Sequence, residues 1–235
     1  MRQFLSAVKT DMLFQFRHGF YIAYLLVAII YIILLKAIPS QYQEMLTIFV
    51  IFSDPAILGF FFIGGIYLLE KGQNILENIF VTPFKVTSYL ISKIVSLTWI
   101  ALIFCLLILI LVYGFQINYL PITLSILLTS TFFTLLGITL VVRVGTVNEY
   151  LFIVTPLYIT IFFLPVLEIL DIYQSSLFFI LPSKASLLLL EGAFRTLTVA
   201  EWSYAIFTLL IWIAIAFLFA KNIFYRYVIL KIGDE

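Results

Sequence analysis

Few side chains in this sequence have the type and spacing for covalent chemistry. There is one histidine, His18, and one cysteine, Cys105. A serine nucleophile needs a base within hydrogen-bond reach, and His18 stands ahead of the first apolar run, far from any buried serine. An aspartyl pair needs two facing carboxylates, and Asp54 and Asp171 sit in no recognisable motif. One cysteine leaves no partner for an intrachain disulfide and no cysteine-based metal site; Cys105, inside an apolar run, reads as packing. A phosphate-cradling GxxxxGK[ST] loop does not occur, so neither enzyme chemistry nor a cofactor is expected in this chain. Polar side chains gather instead in EKGQNILENIFVTPFKVTSYLISK, residues 70 to 93. This stretch carries two glutamates, three lysines, two asparagines and a proline between very apolar neighbours.

Those neighbours set the frame. The chain is 64% hydrophobic and 11% charged, whereas a soluble domain is about half apolar and a quarter charged. That much apolar surface belongs in lipid. A net charge of +1 gives no basic field for nucleic acid. Six apolar runs, 20–38, 46–69, 89–113, 120–142, 150–170 and 204–223, are each long enough to cross a core of about 30 Å as helices. They are continuous rather than alternating, which excludes a barrel. No cleavable signal peptide, linker or soluble domain is expected, so residues 1–235 read as one all-α integral membrane domain. Of the thirteen lysines and arginines, ten fall on the side that holds both termini and the second–third and fourth–fifth loops: Arg2, Lys9, Arg17, Lys71, Lys85, Lys93, Arg143, Lys221, Arg226 and Lys231. Only Lys36, Lys184 and Arg195 fall on the other. The positive-inside rule then places both termini and residues 70–88 in the cytoplasm, in a cell's inner membrane.

Within the polar stretch, Ile75, Leu76, Ile79 and Phe80 share one helical face and Gln73, Asn74, Glu77 and Asn78 the other. Pro83 ends the helix, with Thr82 before it biased to extended geometry. A helix over 72–82 is too short to persist alone in water, so something holds it. Two roles fit: an interfacial helix resting on headgroups, or a lever gripped by a soluble partner.

The same stretch resembles the first cytoplasmic loop of type-2 ABC exporter permeases. That loop has an acidic–basic pair, a glycine-containing helix, an aliphatic–Thr-Pro turn and a following lysine, matched here by Glu70, Lys71, Gly72, Leu76, Glu77, Val81, Thr82, Pro83 and Lys93. The family's glycine-threonine-leucine-glutamate core reads here as Asn74, Ile75, Leu76, Glu77, with the glycine earlier at Gly72. The resemblance implies that this loop is a coupling helix seated in a groove of a separate ATP-binding subunit, with Ile75, Leu76 and Phe80 filling the groove and Glu77 on the polar face. MRQFLSAVKTDMLFQFRHGF, with apolar Phe4, Leu5, Val8, Met12, Phe14 and Phe16 among charged residues, reads as an amphipathic interfacial helix. In the family it is an elbow helix, 1–18 here, ending in an arginine matched by Arg17.

Polar groups at membrane depth are functional candidates. Lys36 can snorkel to the outer surface. Asp54-Pro55 can start a helix and break the second span, or Asp54 can line a pathway. Gly64-Gly65 allows close helix approach or marks a kink. Thr155-Pro156 and Pro165 bend the fifth span, with Thr155 able to satisfy freed backbone groups. Between spans five and six, 172–197 holds an apolar piece too short to span, with Pro182 and Ser183 as a helix start; the resemblance implies an outer hairpin capping the exit, with Pro182 at its gate. The implied assembly is two copies of this chain, or one with a close paralogue, and two ATPase subunits that carry the ATP and Mg. It would export a hydrophobic or amphipathic cargo such as a drug, lipid-like molecule or antimicrobial peptide. An ion- or proton-coupled secondary transporter and a non-transporting assembly protein remain open alternatives, and a neighbouring gene for an ATP-binding cassette protein discriminates them.

Overall fold

The computed structural model describes residues 2–230, with the side chains of Arg2 and residues 54–58 outside the description. The side chain of Asp54, the pathway candidate, therefore lies outside the described residues, as does Lys231. Every regular element among the described residues is helical.

The first helix, α1 (Arg2–Arg17), is amphipathic in an inverted sense. Its buried stripe holds Asp11 and Gln15, while Leu5, Leu13 and Phe16 point outward. An outward apolar face suits a helix that meets lipid rather than water. Gly19, at φ +77°, closes it in the left-handed conformation that a Cβ would strain, and the chain turns into α2 (Phe20–Ala37). On α2 only Tyr24, Ala28 and Leu35 are buried; the isoleucine-rich remainder faces out.

Among the described residues, four helices are long and apolar enough to cross a membrane: Phe20–Ala37, Val86–Tyr113, Tyr119–Val141 and Val199–Ile229. The other two expected spans differ from the sequence-based picture. Residues 46–69 fall in an unbroken helical run, α3 (Ser40–Ile57), a π-helical segment (Leu58–Phe62) and α4 (Ile63–Gly72). No break occurs at Asp54-Pro55; the irregularity comes just after, as π-helix. Burial on both sides of the proline explains this, because Ile48, Ile51 and Phe52 pack into one core cluster and Phe60, Ile63 and Ile66 into another. The fifth expected span, 150–170, is shorter. α8 (Val147–Leu157) runs into a π segment (Tyr158–Phe162), together about 24 Å at 1.5 Å per residue and so short of a ~30 Å hydrocarbon core. Beyond it stands only the single turn α9 (Val166–Ile169). Past the Pro156 bend the Thr160 hydroxyl donates to the Pro156 carbonyl, at 2.6 Å.

Between α4 and the long α6 (Val86–Tyr113) lies the short α5 (Ile75–Phe80), set off by Asn74 in the left-handed region at φ 56°. α7 (Tyr119–Val141) is the central post, touching α3, α4, α6 and the later helices α10 (Pro182–Glu191) and α11 (Val199–Phe224). It buries Ser125, Thr129, Ser130, Thr134 and Gly137; small and hydroxylic side chains let neighbouring helices approach closely and bond across. The expected outer hairpin consists of a 3₁₀ turn (Ser176–Ile180) and α10. Its α10 does not rest on a surface: residues 182–190 are all buried, and Ser125 Oγ of α7 donates to the Ser186 carbonyl at 3.0 Å; the 3₁₀ turn is exposed at Leu177, Phe179 and Ile180. A Thr198–Glu201 capping box starts α11.

Candidate functional site

The strongest concentration of buried charge lies where α1, α4 and α6 meet. Lys93 on α6 is 1% exposed. Its Nζ donates to Asp11 Oδ1 of α1 at 2.6 Å and to Glu70 Oε1 of α4. The other oxygen of Glu70 accepts from the Tyr89 hydroxyl at 2.7 Å, and the ammonium sits 5.0 Å from the Tyr89 ring centre. One helical turn further along α6, Ser96 Oγ accepts from Gln15 Nε2 of α1 at 2.9 Å. Tyr89, Lys93 and Ser96 share a face of α6 by helical spacing, and α1 lies along that face.

Desolvating an ion costs several kcal/mol, which only close partners offset. Here one ammonium holds two carboxylates from helices on either side. The two acids are 82 and 23 residues from Lys93 in sequence, so the contact is wholly tertiary. It ties the N-terminal helix and the end of the α3–α4 run to one post of the bundle. α5 hangs from this knot. Leu76 is buried within the chain's own core, and Phe80 packs on Tyr89 and Phe224, with ring centres 5.7 and 5.5 Å apart. Lys71, Gly72, Glu77, Asn78, Val81, Thr82 and Pro83 are exposed.

These placements correct several expectations. Leu76 does not offer a face to a partner's groove, because the bundle's own core covers it, and Phe80, partly buried, turns its ring to Tyr89 and Phe224. Glu70 is 3% exposed and faces Lys93 rather than outward. Lys93, counted as a basic residue of the membrane surface, is inside the fold. The helix expected at 72–82 is confined to 75–80, the left-handed Asn74 and the turn before Pro83 bounding it. Ile75 is half-buried, and Arg17 is exposed at the end of α1, apart from the knot. Thr155 is exposed on α8 beside Phe152 and Pro156. Pro182 is buried at the start of α10, near the Lys184–Glu168 ion pair of 2.8 Å. So residues 70–83 assemble at one end of the bundle, while Thr155 and Pro182 join neither them nor each other. Sequence reasoning missed Asp11, Gln15, Tyr89 and Ser96. The available signal was Asp11, the one carboxylate of α1, whose other charged residues are all basic.

A second tight contact braces the π segment of the α3–α4 run. The buried Tyr150 of α8 donates its hydroxyl to the Phe60 carbonyl. Its ring lies against Gly64, where any Cβ would collide with it. Gly64 thus serves close packing, as one alternative held, whereas a Cβ on Gly65 would meet open space. At the opposite end of the molecule, Glu168, Lys184, Glu191, Arg195, Glu201 and Tyr204 line a cavity of about 570 Å³.

Comparison with known proteins places this architecture among transport proteins. Two curated relatives, both fluoroquinolones export permease proteins of Mycobacterium tuberculosis, from strains CDC 1551 / Oshkosh and ATCC 25618 / H37Rv, are each 28% identical over 236 residues, covering 99% of either chain. A family model matches residues 2–232, from the start of α1 past the end of α11, and so takes in the ionic knot, α5 and the apolar helices alike. By that end-to-end match this multi-pass membrane protein belongs to the fluoroquinolones export permease protein family.

Proposed function

We propose that this chain is the membrane subunit of an ATP-binding-cassette exporter. Two permease copies, or this chain with a close paralogue, would share two separate ATPase subunits that bind the ATP and Mg. The observation that carries this is the state of α5: one face locked to the bundle by Leu76, Phe80 and the knot above it, the other presenting Glu77, Asn78, Val81 and Pro83. A helix fixed to the spans on one side and open on the other can pass a partner's movement inward. The cargo proposed is amphipathic and aromatic, of the fluoroquinolone class that the relatives' names give for them.

Charge reversal at Glu77 separates this from an α5 that only rests on headgroups. Like charges at a docked contact cost several kcal/mol, so Glu77→Lys is expected to lower ATPase recovery and drug efflux tenfold or more while membrane insertion is unchanged. On headgroups the added lysine strengthens binding to anionic lipid and leaves efflux intact. Co-purification of the cognate ATPase and efflux, read at matched expression, decide it; wild-type values of both would sink the lever.

The proposed topology puts α5 and both termini in the cytoplasm and the 3₁₀ turn outside. Asn78 and Ser176 are both exposed, and Cys105 is buried. In a Cys105→Ser background, Ser176→Cys should react with an impermeant maleimide in intact cells and Asn78→Cys only after lysis. The reverse pattern would invert the orientation and remove α5 from the reach of any cytoplasmic ATPase.

A further inference from the structure

Between α1 and α5 opens a cavity of about 460 Å³, within the size range of small-molecule sites. Its floor is the ionic knot: Asp11 and Glu70 both line it. Two carboxylates against one ammonium leave one negative charge unbalanced. Both oxygens of Glu70 are engaged, by Lys93 and Tyr89. Asp11 is 8% exposed; its Oδ1 is held by Lys93, but its Oδ2 is buried without a hydrogen-bond partner. Buried carboxylate oxygens are ordinarily satisfied, and an orphan calls for a donor. No lysine or arginine lines the cavity, whereas Phe14, Ile75, Ile79 and Phe84 give it apolar walls.

We propose that this cavity binds an amphipathic amine, its ammonium paired with the Asp11 carboxylate, whose enclosed Oδ2 turns toward the donor on binding, and its apolar body lying against Phe14, Ile75 and Ile79. An anion meets the wrong charge there, and a purely apolar molecule leaves Oδ2 unpaired. An amine of this kind has two sources: a cationic drug on its way to export, or the ethanolamine headgroup of a lipid reaching between α1 and α5. Calling the site a loading place for cargo rests on the export function proposed above; the binding itself does not.

The test uses the full chain in nanodiscs of phosphatidylcholine and phosphatidylglycerol. The probes are a fluorescent quinolone methyl ester with a free piperazine amine and the same ester N-acetylated, which has lost its positive charge. The free amine is expected to bind about tenfold more tightly, the worth of one charged hydrogen bond. Asp11→Asn is expected to erase that difference. Ala7→Phe, which fills the cavity from α1 while keeping every charge of the knot, is expected to weaken both probes; it keeps the test sound where Asp11→Asn fails to fold. Equal binding of the two probes to the wild type, or Ala7→Phe binding both normally, would overturn the site. Competition by added phosphatidylethanolamine identifies the lipid as the occupant; its absence identifies the drug. Amine-selective binding without ATP-driven efflux would retire the export function and keep the site, and efflux without amine selectivity the reverse.

Discussion

Lys93→Met is expected to destabilise the protein by about 3–5 kcal/mol, the usual cost of removing one partner from a buried ion pair. The side chain is 1% exposed and both of its partners are themselves buried. Without the ammonium, Asp11 and Glu70 face each other across α6 with no counter-charge, and Tyr89 is the one remaining donor to Glu70. The fold must then protonate an acid, admit water or part α1 from α6. Met fills much of the lysine's volume, so the loss is electrostatic rather than a cavity. Neutralising the acids as well separates these effects. Asp11→Asn with Glu70→Gln and Lys93→Met replaces the ions by neutral groups of similar shape, and it should recover most of the stability because desolvation costs disappear with the charges. Thermal unfolding of the detergent-solubilised protein checks both. A Lys93→Met melting point equal to wild type, or a triple variant no better than the single one, would show that the knot contributes little to holding the three helices together.

Gly64→Ala is expected to cost about 1–3 kcal/mol, the range for overpacking a filled site. The added methyl falls on the ring of Tyr150, which is fully buried and anchored by its hydroxyl to the Phe60 carbonyl. It cannot withdraw toward α7 freely, since Gly137 beneath the hydroxyl is equally tight. Yielding would break the bond to Phe60 and leave the buried Tyr150 hydroxyl without that acceptor, itself worth about 1–3 kcal/mol. The neighbouring glycine is a built-in control. A Cβ at Gly65 meets nothing within 4 Å, and glycine in a helix interior is disfavoured by about 0.5–1 kcal/mol against alanine, so Gly65→Ala should be neutral or slightly stabilising. Indistinguishable melting points for the two alanine variants would mean that Tyr150 does not wedge between α4 and α7 as described.

What the sequence determined by itself was the solvent and the outline. Long apolar runs report lipid burial residue by residue, without regard to what packs on them, so α2, α6, α7 and α11 lie close to where composition put them. The polar interruption before α6 was partly legible, because Pro83 is local punctuation, whereas Asn74, read as part of the helix's polar face, became a boundary only through its left-handed backbone. What only the tertiary structure decided was which way each side chain faces. Leu76 and Phe80 are apolar whether they meet a partner or their own bundle; the nearness of Tyr89 and Phe224 settles it. The helical run through Pro55 survives because both of its halves are buried. Lys93 is the sharpest case. Its charge is the same at a membrane surface or inside the fold, and it is stable inside only because carboxylates 82 and 23 residues away arrive within bonding distance. Hydropathy is a sum along the chain, whereas the satisfaction of a buried charge depends on helices that meet only once the chain has folded.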